Sequence, residues 1–316
     1  MGNRLYGCFC NNLRMNNAIK SNRRPRNGEL RSKGATMSQS IQDVSQTSVT
    51  PTSRQSRQSA LFSSAFALLC SIGMFSSAVG AEELVVQADR WCPYNCIPGT
   101  SAPGYVVEIL QASLESSGTK IRYQIVPWDR TLIQVRDGKA GAAIAATQHE
   151  VDAFGLIVGS ESIGYSSDCL YVAASNRMKF SKAEDLDTLK RIGLASGYTY
   201  SEEINAWLDR PENKGKIFVQ KGEGPAEINA RNLALGRLDG VIEDNHVMQQ
   251  VIGKFGLEHE LVLAGCQQQT RIFVAFSPKL KNVTSVVKRF DEGVGRLRQS
   301  GQLAKILAKY GLSDWK

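Results

Sequence analysis

From residue 83 onward the hydrophobic positions follow two rhythms in turn. ELVVQA (83–88) is a short apolar run of strand type, whereas GYVVEILQASLESSG carries apolar residues at 106, 107, 109, 110 and 114, a helical spacing that stops at Gly118. IRYQIV is a second strand, DRTLIQVRDG a helix and AGAAIAAT a buried strand, and CLYVAAS (169–175) reads as the strand that completes a first α/β unit. A second unit then restarts, with RIGLAS, KIFVQ and DGVIE as strands and TYSEEINAWLD, PAEINARNLALG and NHVMQQVIGKFG as helices. RIFVAFS (271–277) is a further strand, and the amphipathic helices VTSVVKRFDEGVGRL and QLAKILAKYG close the chain. Strands that alternate with helices predict an α/β fold. No repeat, coiled coil or low-complexity tract follows residue 82.

The first 81 residues obey neither rhythm. Residues 1–59 are rich in Asn, Ser and Arg and read as an unfolded basic leader, in which Met37 is the more natural start. Arg54 and Arg57 precede ALFSSAFALLCSIGMF (60–75), an apolar run too short to span a bilayer comfortably, and the small-residue exit SSAVGA ends at Ala81. Residues 60–81 therefore predict a secretory signal peptide, with Val79 and Ala81 at positions −3 and −1 and cleavage before Glu82. The rival reading is an N-terminal membrane anchor. A lipoprotein signal fits less well, because Cys70 follows Leu69 instead of a small residue.

Charge sharpens this division. The chain has 38 Lys/Arg and 30 Asp/Glu, but residues 1–81 hold ten of the bases against Glu29 and Asp43 only, so the remainder carries 28 of each. The net +8 belongs to the leader, and the neutral remainder offers no basic surface for nucleic acid.

Export also changes the meaning of the cysteines. Cys92, Cys96, Cys169 and Cys266 remain after the leader, an even number for an oxidising compartment. Four cysteines allow three pairings, and the short CPYNC loop favours Cys92–Cys96, which leaves Cys169 with Cys266. A zinc or redox site is the weaker alternative, since the spacing is C-x-x-x-C and His149, His246 and His259 show no ligand spacing. No metal or cofactor is expected.

The element order, GYVVEIL after the first strand, GRLDGVIED, FVAFSP and the terminal EGVGRLRQSGQLAKILAKYGL together resemble the periplasmic solute-binding proteins of family 3, which deliver polar amino acids to ABC importers. The resemblance spans residues 83–312. It implies a two-lobed periplasmic-binding-protein-like fold of type II, with two α/β lobes joined by two crossing strands and a ligand cleft between them. Lobe 1 is expected at 82–174 plus 268–316, and lobe 2 at 175–267. The protein would be a monomer in the periplasm, with a small-molecule solute and a membrane permease as its partners.

The same resemblance orients the candidate residues. Asp89, Trp91 and Tyr94 sit in the loop after the first strand, where the family contacts ligand, and an aromatic there stacks on a planar or cationic group or simply packs the loop. PWDR (127–130) opens a helix, so Trp128 and Arg130 would border the cleft, Arg130 offering a planar fork for a carboxylate or a surface ion pair. In ASGYTYSEE, Tyr198 and Thr199 precede a helix whose free N–H groups form an anion site, or whose start is merely capped by Thr199 or Ser201. Asp244 matches the family's aspartate for the ligand amino group and also suits a helix cap; Glu243 is its less certain neighbour.

One departure matters more. After the strand equivalent to AGAAIAAT, amino-acid binders carry a Ser/Thr-rich turn and an arginine that clamps the α-carboxylate. Here the turn reads TQHEVDAFG, with Thr147 at its start, Ala153 near the arginine's place and no arginine. A ligand carboxylate without a bidentate partner is costly to bury, so the expected solute is a small polar, planar or cationic organic molecule and not a standard amino acid. The alternatives are an enzyme on the same fold, of the cyclohexadienyl dehydratase type, and a binding-type sensor. A dicarboxylate substrate would need several cationic clamps, of which only Arg130 is visible, so the protein is expected not to be an enzyme.

Overall fold

The computed structural model describes residues 82–316, so the leader, the start at Met37 and the signal peptide lie outside the described residues. In chain order the elements are β1 (Glu82–Ala88), α1 (Tyr105–Leu114), β2 (Thr119–Ile125), α2 (Trp128–Arg136), β3 (Ala142–Thr147), α3 (Gln148–Phe154), β4 (Gly164–Ser166), β5 (Cys169–Ala173) and β6 (Ile192–Ala195). They continue with α4 (Glu202–Asp209), β7 (Ile217–Gln220), α5 (Pro225–Ala234), β8 (Gly240–Glu243), α6 (Asn245–Phe255), β9 (Leu261–Cys266), β10 (Thr270–Phe276), α7 (Val283–Gln299) and α8 (Gln302–Ala308).

The strands form two five-stranded sheets, β2-β1-β3-β10-β4 and β7-β6-β8-β5-β9, which make a two-lobed α/β fold. The chain passes between them twice, at Ser167–Asp168 after β4 and at Gln267–Gln269 after β9, and the two passages touch through the Gln267 N–H donating to the Asp168 carbonyl at 3.0 Å. Immediately beyond, Cys169 pairs with Cys266 in neighbouring strands and the two are joined by a disulfide; Cys92 and Cys96 form the second.

Three elements are absent from the hydrophobic pattern. Helix α3 starts in the polar segment TQHE, where Thr147 and Glu150 form a capping box, so its start is fixed by polar groups and not by an apolar face. Strand β4 has only three residues, and β9 (LVLAGC) is a weaker apolar run than the nearby RIFVAFS. One strand changes place. The sequence assigned 169–175 to the first lobe, but β5 is hydrogen-bonded between β8 and β9, antiparallel to both, in the second sheet. A buried apolar strand looks the same in either sheet, and pairing alone decides its membership.

Each sheet is buried by its own helices. In the first lobe α1 and α7 pack against one another so closely that a Cβ on Gly293 would lie 2.6 Å from Ser113 Cβ, and Leu110, Leu114, Val294 and Leu297 seal that contact region. In the second, Trp207 of α4 and Ile192 and Leu194 of β6 share a core with Leu170 and Ile242. Among the described residues no helix is long and apolar enough to cross a membrane.

Candidate functional site

The carboxyl ends of β1, β3, β6 and β8 point toward the space between the sheets, the place where open α/β sheets hold ligands. A cavity of about 60 Å³ lies there, walled by residues of both lobes. From the first come Asp89, Trp91, Asn95, Trp128, Thr147 and Glu150; from the second come Tyr198, Thr199, Tyr200, Glu243 and Asp244; Asp168 enters from a crossover. Five of these residues are acids, and no Lys, Arg or His lines the cavity.

Beyond β1 the chain folds into a braced loop. Trp91 and Asn95 exchange backbone hydrogen bonds of 2.9 and 3.1 Å, the Cys92–Cys96 disulfide closes the same loop, and Asn95 Nδ2 donates to the Asp89 carbonyl. This holds Asp89 and Trp91 at the cavity edge. Trp91 packs one side of its ring on Tyr94, centroids 4.2 Å apart, as the packing reading expects, and it also lines the cavity. Tyr94 itself is a correction: it is buried behind Trp91, away from the cavity wall, with its hydroxyl 2.8 Å from the Tyr165 carbonyl and 3.2 Å from Asp244 Oδ1.

In the wall of β3, Ala145 takes φ 72°, where a side chain is strained, at a bulge where β10 pairs with Ala146 and then Ile144. Two residues on, Thr147 caps α3, and Glu150 Oε2 accepts from Thr147 N–H at 2.8 Å and Thr147 Oγ1 at 2.9 Å. Glu150 Oε1 accepts from Trp128 Nε1 at 2.8 Å, and Thr199 of the opposite lobe also bonds this carboxylate. Glu150 is thus the cavity-facing residue of the turn in which sequence reading placed Ala153; Ala153 is exposed. Arg130 is corrected as well. It is exposed and absent from the cavity wall, because Trp128 and Thr131 occupy the inward face of α2.

Across the cleft, the turn after β6 comes so near α2 that a Cβ on Gly197 (φ +80°) would stand 2.8 Å from Asp129 Cβ, which only glycine permits. Tyr198 then donates its hydroxyl to Asp89 Oδ2 at 2.7 Å. The anion site expected at the next helix is already taken: Ser201 caps α4, and its N–H donates to Asp168 Oδ2 at 2.6 Å. At the end of β8, Glu243 Oε1 accepts from Trp91 Nε1 at 2.8 Å and from Asp244 N–H at 2.9 Å. Asp244 caps α6 by accepting from His246 and Val247 N–H at 2.9 and 3.2 Å, and its Oδ2 accepts from Ser167 N–H at 3.2 Å.

Burial shifts these acids upward. Removal from water raises Glu243 to about 8 against its bonds from Trp91 and Asp244, Asp89 to about 7 against its bond from Tyr198, and Asp168 to about 6 against its bond from Ser201. The same desolvation raises Glu150 and Asp244. Among the described residues no three acids, His or Cys are grouped to hold a metal ion.

The structure thus brings together Asp89, Trp91, Trp128, Thr147, Tyr198, Thr199 and Asp244 of the expected set and leaves out Tyr94 and Arg130. It adds Asn95, Glu150, Asp168, Tyr200 and Glu243. Glu150 had a signal, a Thr three residues ahead of a Glu at a strand end; Asp168 had none, since it belongs to no strand or helix.

The family model of the bacterial extracellular solute-binding proteins, family 3, matches residues 84–313. A probable histidine-binding protein of Neisseria gonorrhoeae is 21% identical over 230 residues, 72% of this chain and 81% of that protein. Among solved structures, a histidine kinase sensor domain with similarity to periplasmic binding proteins superposes with a TM-score of 0.60 at 20% identity, over 74% of this chain and 99% of the other. The arginine-, lysine-, histidine-binding protein of the thermophilic bacterium Geobacillus stearothermophilus gives 0.60 at 17% identity, over 74% and 96%. At such identities the structural likeness establishes the fold.

Proposed function

The chain belongs to the bacterial extracellular solute-binding proteins of family 3, and from that premise we propose that it captures a compact organic solute between its lobes, outside the cytoplasm, and presents it to the membrane permease of an ABC importer. The observation that carries this reading is the set of bonds that cross the cleft around one cavity. Tyr198 reaches Asp89, Trp91 reaches Glu243, Arg90 pairs with Glu227 at 2.8 Å, and the Arg90 N–H donates to the Glu223 carbonyl at 2.8 Å. Two lobes that enclose a cavity and are tied by two short crossovers can hinge. Two disulfides suit an exported protein, in agreement with the signal peptide expected at 60–81.

The solute is not a standard α-amino acid. No cationic side chain lines the cavity to receive a carboxylate, and Arg130 points elsewhere. The same absence weighs against a dehydratase acting on a dicarboxylate, although Glu243 and Asp89, protonated near neutral pH, have the acidity that proton donation requires. Asp89, Trp91, Trp128, Thr147, Tyr198, Thr199 and Asp244 are the ligand-facing residues in this reading.

Native mass spectrometry of gently purified protein, paired with small-angle scattering before and after solute removal in urea, tests the proposal. A retained small molecule whose removal expands the protein is the expected result. A protein that retains nothing, and does not compact with any solute supplied, would sink it.

A further inference from the structure

In both lobes the groups that would receive a ligand carboxylate are already bonded to carboxylates of the protein itself. At the start of α3 the Thr147 N–H and hydroxyl are held by Glu150, at the start of α4 the Ser201 N–H is held by Asp168, and at the start of α6 the His246 and Val247 N–H groups are held by Asp244. A free carboxylate entering this cavity would meet five acids, no cation and no vacant helix start among its lining residues. It would be repelled by the acids with no cation to offset them.

The remaining valences are of the opposite kind. Asp168 and Glu243 each engage one oxygen with the protein, through Ser201 and through Trp91 with Asp244, and the other oxygen of each makes no hydrogen bond among the described residues, whereas Asp89 accepts from Tyr198 and from its own backbone N–H. Asn95, fully buried in the same wall, has its Oδ1 without a hydrogen-bond partner. These are acceptors on several sides of one small space, beside the rings of Trp91, Trp128 and Tyr198. Aromatic faces and acceptors together match a group rich in N–H donors and positive charge. The acids are not gathered as a metal ion would need.

Resting on the solute-capture reading, we propose that the solute is a compact organic cation, an amine, amidine or guanidine, that carries no carboxylate. The protein's own Glu150 and Asp168 stand where an amino acid's carboxylate would be bound, and the spare oxygens of Asp168 and Glu243, with the Asp89 carboxyl beside them, receive the cation.

Matched probes that differ only by the α-carboxylate test the assignment: agmatine against arginine, cadaverine against lysine, and histamine against histidine. The protein, freed of solute in urea and not in guanidinium, is titrated by calorimetry and scanned for thermal stabilisation. At least one decarboxylated probe should bind a hundredfold or more tighter than its amino acid. Asp168→Asn, which keeps an acceptor for Ser201, should weaken that probe at least tenfold without improving the amino acid's partner-less carboxylate. Equal or tighter binding of the amino acids overturns the assignment, and so does a lack of response to all six probes. A retained neutral or anionic solute that compacts the protein overturns the cation alone and leaves solute capture standing, whereas failure to retain or compact around any solute removes capture itself.

Discussion

In the first sheet the central strand β3 ends at Thr147 and feeds α3; in the second, the central strand β8 ends at Glu243 and feeds α6. Both strand ends deliver buried acids to the cavity, and the two walls then divide the work differently. On the first wall a single carboxylate, Glu150, completes the capping box and holds Trp128, so both its oxygens are engaged. On the second wall the tasks are split, with Asp244 capping the helix and bonding Ser167 while Glu243 bonds Trp91 and Asp244 N–H through one oxygen only. An acid in a cleft is therefore not by its position a ligand group. What its oxygens already do separates the acid that holds the fold from the acid left to read a solute.

The largest test of that division is Asp244→Ala. Two helix-start N–H groups and the Ser167 N–H lose their acceptor, while the Tyr94 hydroxyl keeps the Tyr165 carbonyl, so the solute-free protein should lose about 3 kcal/mol, roughly 6–12 °C of Tm in a calorimetric scan. A melting temperature that stays put would return Asp244 to a purely ligand-binding role. Glu150→Ala should follow at about 2 kcal/mol, from the broken capping box and the buried Trp128 Nε1 left unpaired.

Acidity supplies the next comparison. Glu243, Asp89 and Asp168 have folded pKa values of about 8, 7 and 6, above the value of about 4 for an unfolded carboxyl, so the folded state binds the proton more tightly. Their contribution to stability is complete below pH 4 and is lost as the pH rises through 6 to 8. The solute-free protein should therefore weaken between pH 5 and 7, by up to about 1.4 kcal/mol per pH unit for each acid that is still protonated only in the folded state, read from denaturant midpoints at each pH. The opposite slope would mean that these acids are paired and ionised. Cation binding should run the other way and tighten over the same interval, since the acids must ionise to receive it; Glu150, Asp244, Tyr198 and Tyr200 share the cavity with them, and His246 lies next to Asp244 along α6.

The smallest expected effect is the sharpest. Glu243→Gln keeps an acceptor for Trp91 Nε1 and Asp244 N–H and imitates the protonated acid, so the solute-free protein at pH 7 should change by less than about 0.5 kcal/mol while the pH slope becomes shallower. A large loss of stability in this variant would erase the difference between the two walls.

Much of the site was visible in the chain, and the misses have physical reasons. Asp89, Trp91, Thr147, Tyr198 and Asp244 reach the cavity as expected because each lies at a strand end or within three residues of one, where period and turn residues are legible. Arg130 failed because it lies two residues from Trp128, about 200° round the helix, so the turn that buries the tryptophan carries the arginine to solvent. Tyr94 failed because Trp91 stacks over it. Glu150 was hidden in a polar turn that looks like an ordinary cap, and Asp168 lies in a passage between sheets that no local pattern marks.

Local chemistry determined the order of nearly all strands and helices, the neutrality of residues 82–316, the four cysteines available to pair and the absence of an arginine from the turn after β3. These follow from side-chain period, charge and identity, which act between neighbours in the chain. Only the tertiary structure decided that β5 joins the second sheet, that Arg130 faces outward, and that Glu150, Asp168 and Glu243, from positions 150, 168 and 243, share one cavity. Sheet pairing and cleft closure set contacts between residues far apart in sequence, and with them the burial that raises those acids and decides which of their oxygens remain for a solute.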